Sequence, residues 1–500
     1  MASNEAEYDD DNQDQLENED LEGKQESNKK IGAAPIWIIS ILVHSIAIAA
    51  LAWIIVEQAK KKEDLIMTQK ITEEKEEELD EKKEVAVVKE KADVVVQTDS
   101  VLPPQVTTEE VTDHNETDNN MDKQSAEGTE EGISDSPQVG SGLMGNIGGG
   151  GGGGGSFGTR TGGGKKRAIM RGGGSKATES AVDWALWWLA NHQEKDGHWD
   201  SGKYEGGGTP EVDCADTGAA LLAFLGAGHT DRAGKWKTNV KSAVSWLITA
   251  QRPNGSWDAR NYANGICTMA IAEAAGMGCG GSDTKKSAEM AVDYLLKQQN
   301  ASGCFDYTGP SARDDMSVTG WCVMGLKSAL LAGIKEREIK DAFHKCGDFL
   351  DKTEGTKDNT STSQGLAWYT PGSTGTGAAG GACQAIAMLV RQYLGWERTA
   401  PWLEAAADGQ ISKIPAAYAG TDIYRVYYSF LTLFQQGGKH WTAWNDPVSK
   451  MVVAAQRQDG DFKGSWDKTG CKLDTGGRVM YTSFLCLSLE IYYRYKSVMK

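Results

Sequence analysis

Apolar positions along residues 176–500 recur at the spacing of amphipathic α-helices. Two kinds of helical stretch alternate in this region. One kind ends in a glycine-containing turn, and the other is rich in small apolar residues throughout. The first pattern suits a helix with one buried face, and the second suits a helix buried on all sides. Six of each kind in alternation predict an all-α fold, an (α/α)6 toroid with outer and inner rings of helices.

The element bounds follow from the same pattern. The outer helices are predicted at about 177–193, 237–251, 285–299, 338–352, 399–408 and 443–457. The inner helices are predicted at about 213–229, 264–278, 315–334, 376–394, 422–436 and 477–495.

A polar signal marks the ends of four outer helices. In the first, Gln193 is followed by Gly197 and then by the aromatic Trp199. Three further copies begin at Gln251, Gln299 and Gln456. Glycine permits the turn, the aromatic ring covers the joint, and the glutamine amide can satisfy backbone groups at the helix end or in the neighbouring repeat. The fourth outer helix lacks the signal and has Gly365, Trp368 and Tyr369 instead.

This motif resembles the QW motif of squalene and oxidosqualene cyclases. The whole of 175–500 is similar to the prenyltransferase/squalene-cyclase repeat superfamily. The run Gly-Gly-Lys-His-Trp-Thr-Ala-Trp-Asn at 437–445 resembles that of uncharacterised, membrane-anchored bacterial members. The resemblance implies the toroid and a central cavity, but a shared fold does not imply a shared activity.

The run 36–56 contains no Asp, Glu, Lys or Arg. At about 1.5 Å per residue it is long enough to span a hydrocarbon core of about 30 Å. Trp37 and Trp53 lie near its ends, where interfacial anchors belong. A cleaved signal peptide would have a shorter apolar region and a basic leader. We therefore predict an uncleaved transmembrane anchor, 31–58 with its flanks.

Ser40 and His44 lie one turn apart on one face of this predicted helix. An ionisable side chain inside a membrane is a candidate functional residue. The pair resembles the Ser-x-x-x-His of the TonB and TolA anchors. That resemblance implies coupling to a proton-driven ExbB–ExbD or TolQ–TolR partner, a cytoplasmic N-terminus and a periplasmic toroid at the inner membrane. A histidine bonded to a backbone carbonyl is the alternative.

Charge is distributed unevenly along the chain. Residues 1–30 and 57–136 hold 35 of the 70 acids and 13 of the 52 bases, and the whole chain has a net charge of −18. We expect an acidic disordered tail at 1–30 and, at 59–174, a charged helix followed by a disordered glycine-rich linker. The remainder is nearly neutral. It offers no basic face for nucleic acid.

In a toroid the inner helices are parallel, so their N-termini meet at one mouth. Alignment of Thr217, Thr268 and Thr319 places Asn264 and Asp315 at the position of Asp213. Arg425 and Arg478 fall at the same position in later helices, so acids are predicted to line one side of the mouth and arginines the other. The candidate mouth residues are Asp213, Asp216, Asn264, Asp314, Asp315, Asp422, Tyr424, Arg425, Tyr428, Arg478 and Tyr481. Helix capping accounts for the acids. The arginines are expected to pair with acids across the mouth or to bind an anion.

The resemblance to cyclases allows a test for catalysis. Those enzymes use Asp-x-Asp-Asp-Thr, whose middle acid protonates the isoprenoid. Here Asp213-Cys-Ala215-Asp216-Thr217 matches the motif except for Ala215 at the donor position. Proton-initiated cyclisation is therefore doubtful. Asp213, Asp216 and Asp315 stay as candidate catalytic acids, for a divergent cyclase or for a glycosidase with paired carboxylates.

No cofactor is predicted. A protein prenyltransferase would need a zinc ion held by Asp, Cys and His, and no histidine of this chain lies at a matching position. The sequence thus predicts a membrane-anchored cell-envelope protein whose toroid binds a lipid, glycan or peptide. The alternative is a divergent isoprenoid cyclase or prenyltransferase-like enzyme.

Overall fold

The computed structural model describes residues 157–354, 365–371, 381–471 and 474–495. Within these ranges the regular secondary structure is helical and includes no strand. The predicted acidic tail and the predicted anchor with Ser40 and His44 lie outside the described residues. Among the helices that are described, none combines the length and the apolar character needed to cross a bilayer.

Twelve of the described helices alternate between two rings, as the sequence pattern predicts. The outer helices are α2 (Lys176–Asn191), α4 (Lys237–Ala250), α6 (Gly281–Gln298), α8 (Glu336–Thr353), α10 (Pro401–Ile411) and α12 (Gly438–Ala455). The inner helices are α3 (Pro210–Gly226), α5 (Asn261–Gly276), α7 (Met316–Leu331), α9 (Ala382–Tyr393), α11 (Ile423–Gln436) and α13 (Gly477–Leu489). Helix α1 (Gly162–Gly172) precedes them, and α14 (Ile491–Arg494) follows.

The inner ring is closed. Each inner helix packs against the next one in the chain, and α13 packs back against α3. Every residue of α13 is buried, whereas outer helices such as α4 bury a single stripe. Close packing needs small residues: a Cβ on Gly265 of α5 would lie 2.7 Å from the backbone of Trp321 on α7. The predicted all-α double ring is therefore confirmed for this part of the chain.

The glutamines at the outer-helix ends join neighbouring repeats. Gln251 Nε2 donates to Gly255 O at 3.0 Å in its own turn and to Ser287 O at 3.0 Å in α6, the next outer helix. Gln456 Nε2 donates to Gly464 O at 2.9 Å and to Ala181 O at 2.7 Å in α2. The second bond of Gln456 joins the last outer helix to the first. The same two bonds occur at Gln193 and Gln299.

The aromatic residue of each turn bonds to the inner helix through its backbone N, and where it is tryptophan its ring also donates to the outer helix. Trp199 Nε1 donates to Leu189 O at 2.9 Å at the end of α2, and its backbone N donates to Thr217 Oγ1 at 3.1 Å in α3. Phe305 N donates to Thr319 Oγ1 at 3.0 Å, and Trp466 N donates to Thr482 Oγ1 at 3.4 Å. One turn therefore fixes an outer helix to the inner helix that follows it.

The fourth repeat replaces glutamine with a carboxylate. Glu354 follows α8 and accepts a hydrogen bond from Trp368 N at 3.2 Å through Oε1. Its backbone O accepts from Trp402 Nε1 at 2.9 Å in α10. Burial raises the pKa of Glu354 to about 7. The fourth and fifth outer helices are thus connected through Glu354 instead of a glutamine, which explains why the glutamine signal is absent here.

The folded part begins earlier than the boundary predicted at 175. Phe157 and Arg160 are buried, and α1 occupies part of the stretch that its glycine content marks as linker. Arg160 Nη2 contacts Glu273 Oε2 at 2.8 Å near the C-terminal end of α5. Thr159 Oγ1 donates to Tyr493 O at 2.7 Å. These partners lie more than 100 residues away in sequence, so local composition carries no sign of them.

Candidate functional site

A cavity of about 470 Å³ opens at the end of the ring where the inner helices begin. Every inner helix contributes residues from its first turns or from the preceding loop. The lining residues are Glu211, Val212, Ala215, Asp258, Arg260, Tyr262, Ala263, Tyr307, Ser317, Tyr369, Ala382, Cys383, Tyr424, Thr475, Gly476 and Met480. The mouth predicted from the parallel inner helices is thus the place where the cavity lies.

A cluster of aromatic side chains around Trp321 forms the inner end of the cavity, opposite its mouth. The ring of Trp321 is fully buried and stacks on Phe484 at 5.0 Å and on Tyr427 at 5.7 Å between centroids. Tyr262 and Tyr424, which line the cavity, contact Trp321 at 5.8 and 5.9 Å. The centre of the ring is therefore packed core, and the cavity occupies one end of it.

Tyr307 and Tyr369 form one wall of the cavity. Their hydroxyl groups are 3.4 Å apart, and the guanidinium of Arg313 lies 5.8 and 5.7 Å from the two ring centroids. Arg313 also contacts Asp306 Oδ1 at 2.5 Å and Asp315 Oδ2 at 2.7 Å. These two carboxylates fix the arginine, and the arginine in turn fixes the position of both tyrosine rings.

Charged groups of the cavity gather on the α3 and α5 side. Glu211 lies in the first turn of α3, and Asp258 and Arg260 precede α5. Arg260 Nε lies 3.5 Å from Asp258 Oδ2, and the Asp258 side chain is 5 % exposed. The other lining residues are mainly aliphatic or tyrosine, so an occupant would meet apolar surface with a few polar contacts at this edge.

The register of α5 differs by one helical turn from the register predicted. Asn264 Oδ1 accepts from Trp257 N at 2.8 Å, which is the bond that Thr217, Thr319 and Thr482 accept in their repeats. The position that corresponds to Asp213 is therefore Arg260, not Asn264. The predicted division of the mouth into an acidic and a basic side accordingly does not form.

The three candidate catalytic acids do not line the cavity. Asp213 Oδ1 accepts from Ser201 N at 2.8 Å and from Ser201 Oγ at 2.7 Å. Asp315 caps α7 by accepting from Ser317 N and Val318 N and pairs with Arg313. Capping, the alternative considered from the sequence, accounts for Asp315.

Asp216 differs from the other two acids because its carboxyl group makes no hydrogen bond among the described residues. It is fully buried. A Cβ on Gly476, which lines the cavity, would lie 2.9 Å from Asp216 Oδ1. Burial raises the pKa of Asp216 well above its usual value, and the nearby Asp213 carboxylate adds to the rise. The group is therefore a neutral carboxylic acid behind the cavity wall.

The two arginines contact neighbouring loops and helices rather than acids across the mouth. Arg478 contacts Asp467 Oδ1 at 2.7 Å and Glu205 Oε2 at 3.2 Å, both in loops beside α13. Arg425 Nη2 donates to Gln410 O at 3.0 Å, and burial lowers its pKa to about 10. Neither arginine lines the cavity.

The remaining predicted mouth residues are dispersed. Tyr424 lines the cavity and donates to Ser317 O at 2.8 Å, whereas Tyr428 belongs to the Trp321 cluster. Tyr481 donates to Asp474 Oδ1 at 2.7 Å. Asp422 caps α11, and Asp314 accepts from Asn300 at 3.0 Å.

Sequence reasoning missed most of the lining residues, although a signal for them exists. Ala215, Tyr262, Ser317 and Met480 each lie two positions before the Thr or Asn that accepts from the aromatic turn. With α5 in the correct register, this one position identifies four cavity residues. Ala215 is among them, at the site where the cyclase resemblance expects an acid. Among the described residues, no group of three or more His, Cys, Asp or Glu side chains is arranged to hold a metal ion.

No protein-family model and no curated protein sequence matches this chain. Solved structures with a similar arrangement of helices include a type II terpene cyclase from Scytonema, at 14 % identity and a TM-score of 0.42, covering 63 % of this chain and 98 % of that one. An unsaturated glucuronyl hydrolase from a Bacillus species has 14 % identity and a TM-score of 0.46, with 64 % and 99 % covered. An inactive variant of an α-1,6-mannanase from a Salegentibacter species has 8 % identity and a TM-score of 0.45, with 63 % and 99 % covered. Because these identities and TM-scores are low, the assignment of the double ring is based on the helix contacts of this chain itself.

Proposed function

We propose that this chain is a membrane-anchored protein of the bacterial cell envelope whose toroid binds a lipid-like molecule. The observation that supports the proposal best is the cavity of about 470 Å³, lined mainly by tyrosine and aliphatic side chains. Its volume falls within the range of about 300–1,000 Å³ typical of small-molecule sites. The apolar part of the ligand lies beside Tyr262, Tyr424 and Met480, and its polar end lies near Glu211 and Asp258.

The distribution of polar groups favours a lipid-like ligand over a glycan or a peptide. A glycan site needs hydrogen-bond groups along its whole length, and a peptide needs partners for its backbone. In this cavity the charged groups are confined to one edge, and Tyr424 already donates its hydroxyl to Ser317 O. Apolar contact is therefore the main source of affinity in this proposal.

The experiment fills the cavity and measures binding. The Ala215→Trp variant places an indole in the space lined by Ala215, and Ala454→Trp on the exposed face of α12 is the matched control. Native mass spectrometry and lipid extraction of the purified full chain should find a bound lipid in the wild type and in Ala454→Trp. Its occupancy should fall at least tenfold in Ala215→Trp. A glycan or peptide in the cavity, or equal occupancy in all three proteins, would overturn the lipid assignment.

The anchor belongs to the same proposal. Residues 36–56 hold the chain in the inner membrane with the toroid in the periplasm, and Ser40 and His44 couple it to an ExbB–ExbD or TolQ–TolR type of proton channel. Site-specific cross-linking from the predicted helix should capture such a partner. Substitution His44→Ala should abolish any phenotype that depends on the proton gradient, and an unchanged phenotype would exclude the coupling.

A second candidate function is isoprenoid cyclisation, which Asp216 favours. A neutral carboxylic acid beside the cavity wall has the protonation state that an acid catalyst needs. Ala215 at the expected donor position weighs against it. Incubation of the purified chain with squalene or a polyprenyl diphosphate tests the idea. A cyclised product that disappears in Asp216→Asn would establish the cyclase, and unchanged substrate would reject it.

A further inference from the structure

Helix α1 presents one face to the ring and the other to solvent. It lies at the end of the ring opposite the cavity, where the inner helices finish. Its inner face is firmly held. Lys165 Nζ contacts Glu179 Oε2 at 3.2 Å, and Trp441 Nε1 donates to Gly172 O at 2.7 Å. A Cβ on Gly172 would lie 2.8 Å from the ring of Tyr492, so the helix cannot shift without disturbing the ring.

The outer face of α1 combines exposed cations with an exposed apolar side chain. Lys166, Arg167 and Arg171 are exposed, and none of them is paired with an acid within the described ranges. Between them lies Met170, which is 73 % exposed. At helical spacing these four residues share one side of α1. We call this set the α1 outer face.

Met170 argues for a lipid surface rather than for another acidic partner. It is one of two large apolar side chains that are exposed among the described residues, and the other is Trp187 at 38 %. A face with cations around an apolar residue is the pattern of helices that lie in a membrane interface. The acidic stretch of this chain at 93–136 could neutralise the cations, but it contains no aromatic residue to cover Met170.

We propose that the α1 outer face docks on the anionic headgroups of the membrane in which the chain is anchored. The proposal rests on the anchor of the proposed function but not on what the cavity binds. Each basic residue near an anionic surface raises affinity about fivefold, because its contribution is about 1 kcal/mol. Three such residues would bind weakly alone. The tether keeps them at high effective concentration near the bilayer, which makes weak docking sufficient. Docking at this end leaves the cavity mouth directed away from the lipid.

The test follows the depth of Met170 in full-length protein. Met170→Cys is spin-labelled in a Cys471→Ser background, because Cys471 is the cysteine that is not buried. The protein is reconstituted in vesicles of phosphatidylcholine alone or of phosphatidylcholine mixed with phosphatidylglycerol. With the anionic lipid, we expect the label to become several times more accessible to oxygen and several times less accessible to a polar relaxing agent. Phosphatidylcholine alone should leave it exposed to water.

Charge reversal distinguishes docking from other protection. Lys166→Glu, Arg167→Glu and Arg171→Glu together should return the label to water in the anionic vesicles. The matched control reverses the exposed Lys195, Lys297 and Lys352 at the cavity end and should leave the label immersed. A label that is water-exposed in both lipids, or equally protected in both, would overturn the proposal. Flotation of the protein with neutral vesicles reports on the anchor separately, and ligand extraction reports on the cavity.

Discussion

Two carboxyl groups are buried at opposite ends of the ring in a neutral form. Asp216 lies behind the cavity wall, and Glu490 lies at the other end against Gly226 and Arg494. Burial raises the pKa of Glu490 to about 8, although Arg494 acts in the opposite direction. Ionising either group without a full set of partners would be costly, so each carries its proton at neutral pH.

Glu490 therefore makes stability depend on pH. Its folded pKa of about 8 lies above the unfolded value of about 4.3, so the folded state holds a proton that the unfolded state releases. Its contribution is complete below about pH 4 and is lost as pH rises through about 8. We expect Glu490→Gln to flatten the fall in unfolding free energy between about pH 5 and 8, by roughly 1–3 kcal/mol. Urea denaturation at several pH values measures it. The exposed Glu397→Gln is the control, and parallel curves for wild type and Glu490→Gln would contradict the assignment.

The glutamine bonds give a second prediction at the level of one residue. Gln456→Ala removes donors from both Gly464 O and Ala181 O and should lower the unfolding free energy by about 1–3 kcal/mol. Gln458, two residues away, is exposed and bonds only within its own turn, so Gln458→Ala should cost less than about 0.5 kcal/mol. Denaturant titration of the two variants shows whether the Gln456 amide stabilises the contact between the last and first outer helices. Equal losses of unfolding free energy in the two variants would show that the Gln456 amide does not stabilise this contact.

The sequence could predict the residues of the turns, but not which side chains the predicted mouth residues contact. The glutamine and aromatic signals can be recognised because the glutamine, the glycine and the aromatic residue lie within a few positions of one another in sequence, although the second bond of Gln456 reaches Ala181 in the first outer helix. Arg478 instead pairs with Glu205, which is 273 positions away in sequence and comes near only because the ring closes. Asn264 misled the alignment because its amide replaces the hydroxyl that the other repeats use. Chemical equivalence was hidden by a change of residue type.

Among the elements, the turns after the outer helices depend on glycine for two separate reasons. Gly255 has φ +92°, and a Cβ there would lie 2.2 Å from Met290 O in the next outer helix. Gly281, the first residue of α6, is not in such a turn but also has a positive φ of +62°, and a Cβ there would meet nothing within 4 Å. The first glycine allows both the turn and the close approach of two repeats.

The pair allows backbone strain to be separated from steric overlap. Gly281→Ala should lower the unfolding free energy by about 1 kcal/mol through strain alone. Gly255→Ala carries the same strain and must also move α6 away, so we expect a loss of at least about 3 kcal/mol. Thermal and urea unfolding of both variants provide the measurement. If the two losses were equal, the turn would not be seated against α6.

Helix periodicity predicted the elements well because it depends on burial that repeats along each segment. All twelve ring helices occur where the pattern places them, within a few residues at most ends. The start of the fold was predicted less well. The stretch before α2 is rich in glycine, and what orders it is the burial of Phe157 and Arg160 against distant helices. Composition describes the local chain and contains no information about such contacts.

At the scale of the whole fold, the two ends of the described chain meet at the end of the ring opposite the cavity, which we call the closed end. Glu273 of α5 contacts Arg160 at 2.8 Å and Arg494 at 3.4 Å, and all three side chains are fully buried. Tyr495 donates its hydroxyl to Glu273 Oε1 at 2.9 Å, and Lys327 Nζ lies 3.4 Å from the ring of Tyr495. Burial alone would raise the pKa of Glu273, but Arg160 and Arg494 hold it below its usual value. One carboxylate thus joins the first segment, the inner ring and the last segment.

Removing this carboxylate should affect the whole ring. Glu273→Gln leaves Arg160 and Arg494 buried without their shared partner and should lower the unfolding free energy by about 3–5 kcal/mol. The exposed Glu404→Gln should change it by less than about 0.5 kcal/mol. Glu490 can ionise beside Arg494 and offset part of the loss, so Glu273→Gln with Glu490→Gln should cost more than the two single changes added together. Equilibrium unfolding of the four proteins measures this coupling. Strict additivity would mean that the two acids at the closed end act independently.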